Sequence, residues 1–276
     1  MWQPVEVIPG APDADVLLIC DHASNHVPPE YGNLGLPAAE FARHIGWDIG
    51  AAAATRRLAA QLKAPAVLSC FSRLLIDPNR GSDDPTLVMQ VSDGAIIPGN
   101  QAVDAAEIDR RRRLYWQPYR DAVGAALDAM LAAGKTPAII SLHSFTPVWK
   151  NDARPWEIAV LWDADDRIAA PLIDALRADG VTTGDNAPYD GALEGDTLYE
   201  HGTRRGLAHV LVEFRQDLIG DAAGVAVWSD RLSRALAPVL ARPQSHIVAY
   251  TQSRTAPRSK GSQRIVSHAT RQTDTT

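Results

Sequence analysis

The sequence predicts an α/β fold, a three-layer sandwich with a central mixed, largely parallel sheet. The first observation is that short apolar runs alternate with longer helical patterns along the 276 residues. The second is the composition, with 46% hydrophobic and 22% charged residues, which suits a globular protein with a large core. The third is that polar residues follow several apolar runs, as expected where a binding site lies beyond the carboxyl ends of strands.

The predicted elements follow from length and hydrophobic period. Five short, aliphatic-rich runs are predicted as buried strands, at residues 15–20, 65–70, 137–142, 157–162 and 209–215. Longer stretches with a helical apolar period are predicted as helices, at residues 37–63, 101–133, 165–178 and 220–241. This alternation favours βαβ units and therefore a largely parallel sheet.

The chain is predicted to form one catalytic domain over residues 1–250. The remaining residues, 251–276, contain few large apolar side chains and many Ser, Thr, Arg and Gln. Because such a segment cannot bury enough apolar surface to offset its loss of conformational entropy, we expect a polar, basic and disordered tail.

Composition also excludes several classes of function. The formal net charge of -6 makes nucleic acid an unlikely partner. No apolar window is long enough for a membrane-spanning helix, and the N-terminus lacks the pattern of a signal peptide. The two cysteines, Cys20 and Cys70, lie in apolar runs and are expected to be small core residues in a reducing compartment. We therefore expect a cytoplasmic protein without a membrane partner; its oligomeric state is not predicted.

Two histidines at strand ends suggest a metal site. His22 follows the first apolar run, and His143 ends the third. Hydrolytic zinc sites use three protein ligands from His and Asp or Glu. Asp48 is the candidate third ligand, and Asn25 is an alternative that is weaker because an amide binds zinc poorly. Asp21 is a candidate for orienting an imidazole rather than binding the metal.

Glu213 is the candidate general base. It lies in the apolar strand Val210–Phe214, where alternation places it on the same face as Leu211. A carboxylate on an apolar face is costly unless it has a partner or a function. A water molecule that needs deprotonation gives one reason for its position, and a salt bridge to Arg215 or another arginine gives another.

Carboxylate recognition is predicted for Arg73, Asn79 and Arg80, because a guanidinium binds a carboxylate through two parallel hydrogen bonds. Asp77-Pro78-Asn79 is also typical of a turn, so Asp77 and Asn79 could act only as turn caps. The glycine-rich segment 191–206 is a candidate active-site loop, in which Thr197, His201 or Arg204 would contact substrate.

The stretches CDHASNHVP, HIGWDIGA, SRLLIDPNR, SLHSFTP and VLVEFRQD occur in this order. Together they resemble the N-formylglutamate amidohydrolase family over roughly residues 15–240. The resemblance implies a zinc-carboxypeptidase-like α/β fold and a cytoplasmic hydrolase of carbon–nitrogen bonds other than peptide bonds, with a role in histidine catabolism. By position, His22 and His143 match the histidine ligands, Glu213 the base, and Arg73 and Arg80 the carboxylate clamp. Asn25 stands where HxxE relatives have Glu, and Asp48 is the expected replacement.

The predicted function is metal-dependent cleavage of the amide bond of N-formyl-L-glutamate or a related N-acyl amino acid, with one zinc ion per chain. One alternative is a zinc carboxypeptidase or peptidoglycan amidase that acts on a larger acyl substrate. The other is a metal-free protein of the same fold that binds carboxylates.

Overall fold

The computed structural model describes residues 2–255. The strands in this part of the chain are β1 (Val5–Ile8), β2 (Val16–Cys20), β3 (Ala66–Ser69), β4 (Val91–Ser92), β5 (Ala95–Ile96), β6 (Ala138–Phe145), β7 (Val148–Trp149), β8 (Asp152–Ala153), β9 (Ile158–Leu161), β10 (Thr183–Asp185) and β11 (His209–Arg215). The α-helices are α1 (Ala51–Leu62), α2 (Ala105–Arg111), α3 (Gln117–Ala132), α4 (Ala169–Ala178), α5 (Thr197–His201) and α6 (Ala222–Leu240).

Seven strands form the central sheet, in the order β1-β3-β2-β6-β11-β9-β10. The four strands β3, β2, β6 and β11 are parallel to their neighbours in this order. β1 runs antiparallel to β3, β9 runs antiparallel to β11, and β10 is parallel to β9. The prediction of a mixed, largely parallel sheet is therefore confirmed. Two short antiparallel ribbons, β4–β5 and β7–β8, lie outside this sheet.

The central strands are mostly apolar because both faces of the sheet are covered. In β2, Val16, Leu18 and Cys20 belong to one core cluster, whereas Leu17 and Ile19 belong to the other. The first cluster includes side chains of α1, α4 and α6, and the second includes side chains of α3. Helices thus pack on both faces of the sheet, which gives the predicted three layers.

The helix predicted over residues 37–63 is wrong in its first half. A short 3-10 turn spans Ala38–Ala42, and α1 begins only at Ala51. Gly50, the residue before α1, has a φ of +82°, and a Cβ atom there would lie 2.2 Å from the carbonyl oxygen of Ile219. Only glycine fits this close approach. The chain turns sharply at Gly50, so α1 includes the alanine-rich run that follows it but not the segment before it.

Other element ends also differ from their predicted positions. β6 extends past His143 to Phe145, because its pairing with β11 continues to the pair Arg215 and Phe145. α4 begins at Ala169 rather than at residue 165. In the intervening turn, the Asp165 carboxylate accepts hydrogen bonds from the backbone and side chain of Arg167. The helical region predicted over residues 101–133 is present as α2, a π-helical turn at Arg112–Trp116, and α3.

The predicted tail lies mostly outside the described residues, which end at Thr255. Its first residues, 251–255, are described, and Arg254 forms hydrogen bonds with Asp163 and Asp190. This part of the predicted tail is therefore anchored to the domain. Within residues 2–255, no helix combines the length and the apolar character that a membrane span requires.

Candidate active site

The candidate site lies at the carboxyl ends of three parallel strands. His22 follows β2 by two residues, His143 is in β6, and Glu213 is in β11. Glu213 and His143 are paired residues in the parallel register of β11 and β6. Leu211, two residues before Glu213, belongs to the core cluster on the α3 side of the sheet. Strand alternation therefore places Glu213 on this face, as predicted.

Two imidazoles and one carboxylate form the centre of the site. The Nδ1 atoms of His22 and His143 lie 3.4 Å and 2.8 Å from Oδ2 of Asp48. All three side chains are buried, and one potential ligand atom from each lies within 4.8 Å of those from the other two. Asn25 is not part of this cluster, because its side-chain amide donates to the carbonyl oxygen of Phe41 at 2.8 Å. Of the two candidate third ligands, Asp48 is the one beside the imidazoles.

Each imidazole is held by a second carboxylate on its other nitrogen. Nε2 of His22 lies 2.8 Å from Oδ1 of Asp77, and Nε2 of His143 lies 3.0 Å from Oδ2 of Asp21. A carboxylate only accepts hydrogen bonds, so it stabilises the tautomer that carries its proton on Nε2. Nδ1 of each ring faces Asp48 at the centre of the cluster, and on loss of its proton it offers a lone pair to a metal ion, which is the arrangement of histidine ligands in metal sites.

Asp77 has a larger role than the turn cap that the sequence suggested. It does cap the turn, since Oδ1 accepts a hydrogen bond from the backbone N–H of Asn79 at 2.9 Å. The same oxygen holds His22, and Oδ2 accepts from Nη2 of Arg73 at 2.8 Å. The sequence analysis missed this role because His22 and Asp77 are 55 residues apart.

Two hydroxyl groups fix the position of Asp21. Oγ1 of Thr197 donates to Oδ1 of Asp21 at 2.6 Å, and Oγ of Ser141 donates to Oδ2 at 2.9 Å. Both hydroxyls are buried. Thr197 was a candidate for substrate contact, but its hydroxyl is engaged behind the imidazole of His143. It therefore orients the site through Asp21.

The site concentrates negative charge. Burial alone would raise the pKa of Asp21, but the hydrogen bond from His143 and the charges of both imidazoles hold it at about 2. Nearby cationic groups also outweigh burial at Asp48 and Asp77, so the pKa of each carboxyl lies below its usual range. Two of these carboxylates, Asp48 and Asp77, pair with one guanidinium, that of Arg73.

This charge excess attracts a cation to the imidazole nitrogens. Burial would lower the pKa of His143, yet its hydrogen bonds to Asp21 and Asp48 and their charges raise it to about 10. A divalent ion would balance the same carboxylates. Two imidazoles and one carboxylate are the donor set of hydrolytic zinc sites, so His22, Asp48 and His143 fit such an ion.

Glu213 is a buried carboxyl beside this cluster. Its residue is 8% exposed, and within residues 2–255 no hydrogen-bond donor reaches the carboxylate. Burial, together with the charge of Asp48, raises its pKa to about 7 against the opposing effect of His143. The predicted alternative, a salt bridge to Arg215, is wrong, because Arg215 pairs with Asp217 at 2.8 Å.

The His22–Asp48–His143 cluster and Glu213 line one cavity of about 280 Å³. Its lining combines the cluster and Glu213 with further polar groups and an apolar side, and consists of His22, His44, Asp48, Arg73, Asn79, Arg80, His143, Ser144, Phe145, Thr146, Leu161, Tyr189, Asp190, Gly191, Leu193, Asp196, Leu211, Glu213 and Gln216. All three residues predicted to recognise a carboxylate, Arg73, Asn79 and Arg80, are therefore on the same cavity as the cluster. Tyr189 was missed because it lies in a loop without a distinctive motif. Gln216 belongs to the VLVEFRQD stretch but was not singled out, because it follows β11 in a short 3-10 turn.

The two arginines have different surroundings. Arg73 is already engaged, with Nη2 2.8 Å from Asp77 and Nη1 3.7 Å from Asp48. Its Nε is buried without a hydrogen-bond partner in the described residues. Arg80 donates to the backbone carbonyl of Asn79 at 2.9 Å and to the hydroxyl of Thr86 at 3.2 Å.

His201 does not line this cavity. It lies on a second cavity of about 570 Å³, together with Arg120, Arg204 and Arg205. Burial and the charges of Arg120 and Arg205 lower the pKa of His201 to about 4. The glycine-rich segment 191–206 thus divides between two cavities. Gly191 and Leu193 face the cluster, and His201 and Arg204 face the other side.

The sheet, the donor set at its carboxyl edge and the buried glutamate define a hydrolase of the α/β fold class with a candidate metal centre. The chain belongs to the N-formylglutamate amidohydrolase family, whose sequence profile matches residues 14–220. The members of this family are hydrolases that act on carbon–nitrogen bonds other than peptide bonds, so the predicted family and enzyme class are confirmed.

Two solved structures resemble the chain over most of its length. A gene product of Agrobacterium tumefaciens is 35% identical with a TM-score of 0.83, over 87% of this chain and 95% of that one. N-formylglutamate amidohydrolase from Ralstonia eutropha is 20% identical with a TM-score of 0.65, over 86% of this chain and 97% of that one. The second likeness shows a shared fold. A search of curated proteins found no significant match.

Proposed function

We propose that the protein is a metal-dependent amidohydrolase that cleaves the amide bond of N-formyl-L-glutamate or a related N-acyl amino acid. The products are formate, or another carboxylic acid, and a free amino acid. One zinc ion per chain is the expected cofactor. A cytoplasmic location and a role in histidine catabolism stay predictions.

One observation carries this proposal. A single cavity of about 280 Å³ contains the His22–Asp48–His143 donor set, a buried carboxyl without a hydrogen-bond donor, and two arginines. Amide hydrolysis needs an activated water molecule, a group that moves protons and a group that holds the substrate. Membership of the family supports the assignment of these parts to amide cleavage.

Proton transfer is assigned to Glu213. His22, Asp48 and His143 would hold the zinc ion, which would supply Lewis-acid polarisation and water activation at neutral pH. The deprotonated carboxyl of Glu213 accepts the proton of the water molecule that attacks the acyl carbonyl. It then donates this proton to the nitrogen of the leaving amine. In the metal-free protein, burial raises the pKa of this carboxyl to about 7, so it can both accept and return a proton near neutral pH.

Substrate binding is assigned to Arg73, Asn79 and Arg80. In this proposal they hold the carboxylate of the amino acid at one end of the cavity. Arg73 lies closest to the cluster, so its guanidinium also stabilises the negative charge that develops on the carbonyl oxygen. The carboxylates behind the imidazoles, Asp21 and Asp77, keep both rings in position throughout the reaction.

A substrate panel tests this function. Purified protein with its metal content measured is incubated with N-formyl-L-glutamate, N-formyl derivatives of neutral amino acids, longer N-acyl amino acids and short peptides. Release of the free amino acid from N-formyl or short N-acyl substrates supports the proposal. Cleavage restricted to peptides or large acyl substrates would instead indicate a carboxypeptidase or peptidoglycan amidase. Tight binding of amino-acid carboxylates without cleavage or metal would indicate a carboxylate-binding protein.

A further inference from the structure

Arg254 joins the C-terminal segment to two loops of the domain. Its Nε donates to the backbone carbonyl of Asp163, and its Nη2 donates to that of Trp162, both at 2.7 Å. Its backbone N–H donates to the carboxylate of Asp163, also at 2.7 Å. Its guanidinium also binds both carboxylate oxygens of Asp190, at 2.6 Å and 3.2 Å. One residue therefore links the end of β9 to the loop that carries Asp190.

That loop forms one side of the active-site cavity. Four residues in the segment 186–193 line the cavity, namely Tyr189, Asp190, Gly191 and Leu193. The segment is held near its start by Asn186, whose Oδ1 accepts from the backbone N–H groups of Trp162 at 2.9 Å and Gly191 at 3.1 Å. Tyr189 lies between Asn186 and Gly191 and is 44% exposed. Arg254 adds a second attachment immediately after Tyr189.

Tyr189 is placed to contact a bound substrate. Its ring lies on the same cavity as Glu213, and the guanidinium of Arg154 packs over the ring at 5.0 Å. A ring with this much exposed surface gains burial when a ligand fills the cavity. Its position depends on the loop, because the backbone next to it is secured through Asp190.

The chain supplies this attachment from outside the part that matches the family. The family profile covers residues 14–220, and Arg254 follows α6 and lies beyond it. The loop 186–193 lies within the matched part. The cavity wall at residues 186–193 thus belongs to the part of the chain that matches the family profile, whereas Arg254, which secures it, lies outside that part.

We propose that Arg254 is a positioning residue for substrate binding, which fixes the 186–193 loop so that the ring of Tyr189 forms the wall that the substrate contacts. This inference rests on the proposed function for its substrate, an N-acyl amino acid. The attachment of the loop by Arg254 does not depend on that function.

Hydrogen exchange tests the attachment without any substrate. In Arg254→Ala, the backbone amides of residues 186–193 are expected to exchange faster than in the wild type, because the loop loses the ion pair between Asp190 and Arg254. Arg57→Ala is the matched control. Arg57 also pairs with an exposed carboxylate, that of Asp230 at 2.8 Å, but lies on α1. Unchanged exchange of residues 186–193 in Arg254→Ala would overturn the attachment.

Steady-state kinetics test the consequence for substrate. The ion pair is partly exposed, so Arg254→Ala is expected to raise KM by roughly threefold to tenfold, with a smaller change in kcat and unchanged metal content. Arg254→Lys should recover part of this loss. Tyr189→Phe should keep a KM near that of the wild type, because the ring is retained, whereas Tyr189→Ala should raise KM.

The double variant separates the inference from a general loss of stability. If Arg254 acts through Tyr189, Tyr189→Ala with Arg254→Ala should have a KM no higher than Tyr189→Ala alone. Additive increases, or an unchanged KM in Arg254→Ala, would overturn the role in substrate binding. If the wild type cleaves no N-acyl amino acid, the proposed function and the substrate role fail together, and exchange still decides whether Arg254 holds the loop.

Discussion

Glu213 and His143 are paired residues on the neighbouring parallel strands β11 and β6. This register places a buried carboxyl beside an imidazole whose Nδ1 faces Asp48. The pair therefore brings a group that can move protons next to a group that can bind a metal. Single substitutions can separate these two roles.

Asp48 is predicted to be required for metal binding, and Asn25 is not. Asp48→Ala removes the only carboxylate among the three donors His22, Asp48 and His143, so its purified protein should contain much less zinc than the wild type. Asn25→Ala is the matched control, because its amide binds the carbonyl oxygen of Phe41 instead of facing the cluster. Elemental analysis of both variants checks this. Equal zinc content in Asp48→Ala and the wild type would contradict the assignment.

Glu213→Gln is predicted to abolish turnover without loss of metal. The amide keeps the size of the side chain but cannot accept the proton, so kcat should fall by a factor of about 100 to 10,000. Glu200→Gln serves as the control, since Glu200 pairs with Arg204 on the outer side of α5. Rates of amino-acid release and zinc content are measured together. A kcat within twofold of the wild type would remove Glu213 from the mechanism.

Asp77→Asn is predicted to weaken metal binding although Asp77 is not a ligand. The amide still accepts the hydrogen bond that caps the turn, but the charge that holds His22 and Arg73 is lost. Carboxylates behind histidine ligands contribute about 10-fold to 100-fold to metal affinity. Competition with a chelator of known affinity measures this loss. Asp217→Asn, which removes the carboxylate that pairs with Arg215, should leave the affinity unchanged.

The stability of the metal-free protein is predicted to depend on Asp196. Burial raises the pKa of this carboxyl from 3.8 to about 7, with a further contribution from the charge of Asp21. Between pH 3.8 and about pH 7, Asp196 stays protonated in the folded state but is ionised in the unfolded state. The free energy of unfolding therefore decreases as the pH rises from about 4 to 7, by up to about 1.4 kcal/mol per pH unit from this group.

Asp196→Asn removes this dependence and keeps the helix cap. The side chain of Asp196 accepts from the backbone N–H of Tyr199 at the start of α5, and Asn caps helices equally well. The variant should gain stability relative to the wild type as the pH rises from 4 to 7 in urea titrations of chelated protein. Asp104→Asn, at the exposed N-cap of α2, controls for the change of cap residue. A constant difference between Asp196→Asn and the wild type would contradict the prediction.

The sheet and the main candidate residues could be predicted from the sequence because their signals are local. The apolar runs predict the strands, and alternation within β11 predicts the face of Glu213. His22 and His143 were notable because each imidazole lies at the end of a buried strand. Parallel strands bring such ends to one edge of the sheet, so their proximity follows from the fold class.

The rest of the site depends on contacts that no local pattern encodes. Asp77 reaches His22 across 55 residues, and Thr197 reaches Asp21 across 176. A turn motif and a glycine-rich loop are compatible with many partners, so the sequence did not show which side chains they hold. The helix prediction before α1 failed for the same reason, since Gly50 is constrained by the distant carbonyl of Ile219.

The most direct test measures zinc content and hydrolysis of N-formyl-L-glutamate in the same preparation, before and after chelation. We expect about one zinc ion per chain, release of formate, loss of this activity on chelation, and recovery when zinc is restored. Activity that persists in protein shown to be metal-free would contradict this expectation, as would protein that binds no metal after reloading.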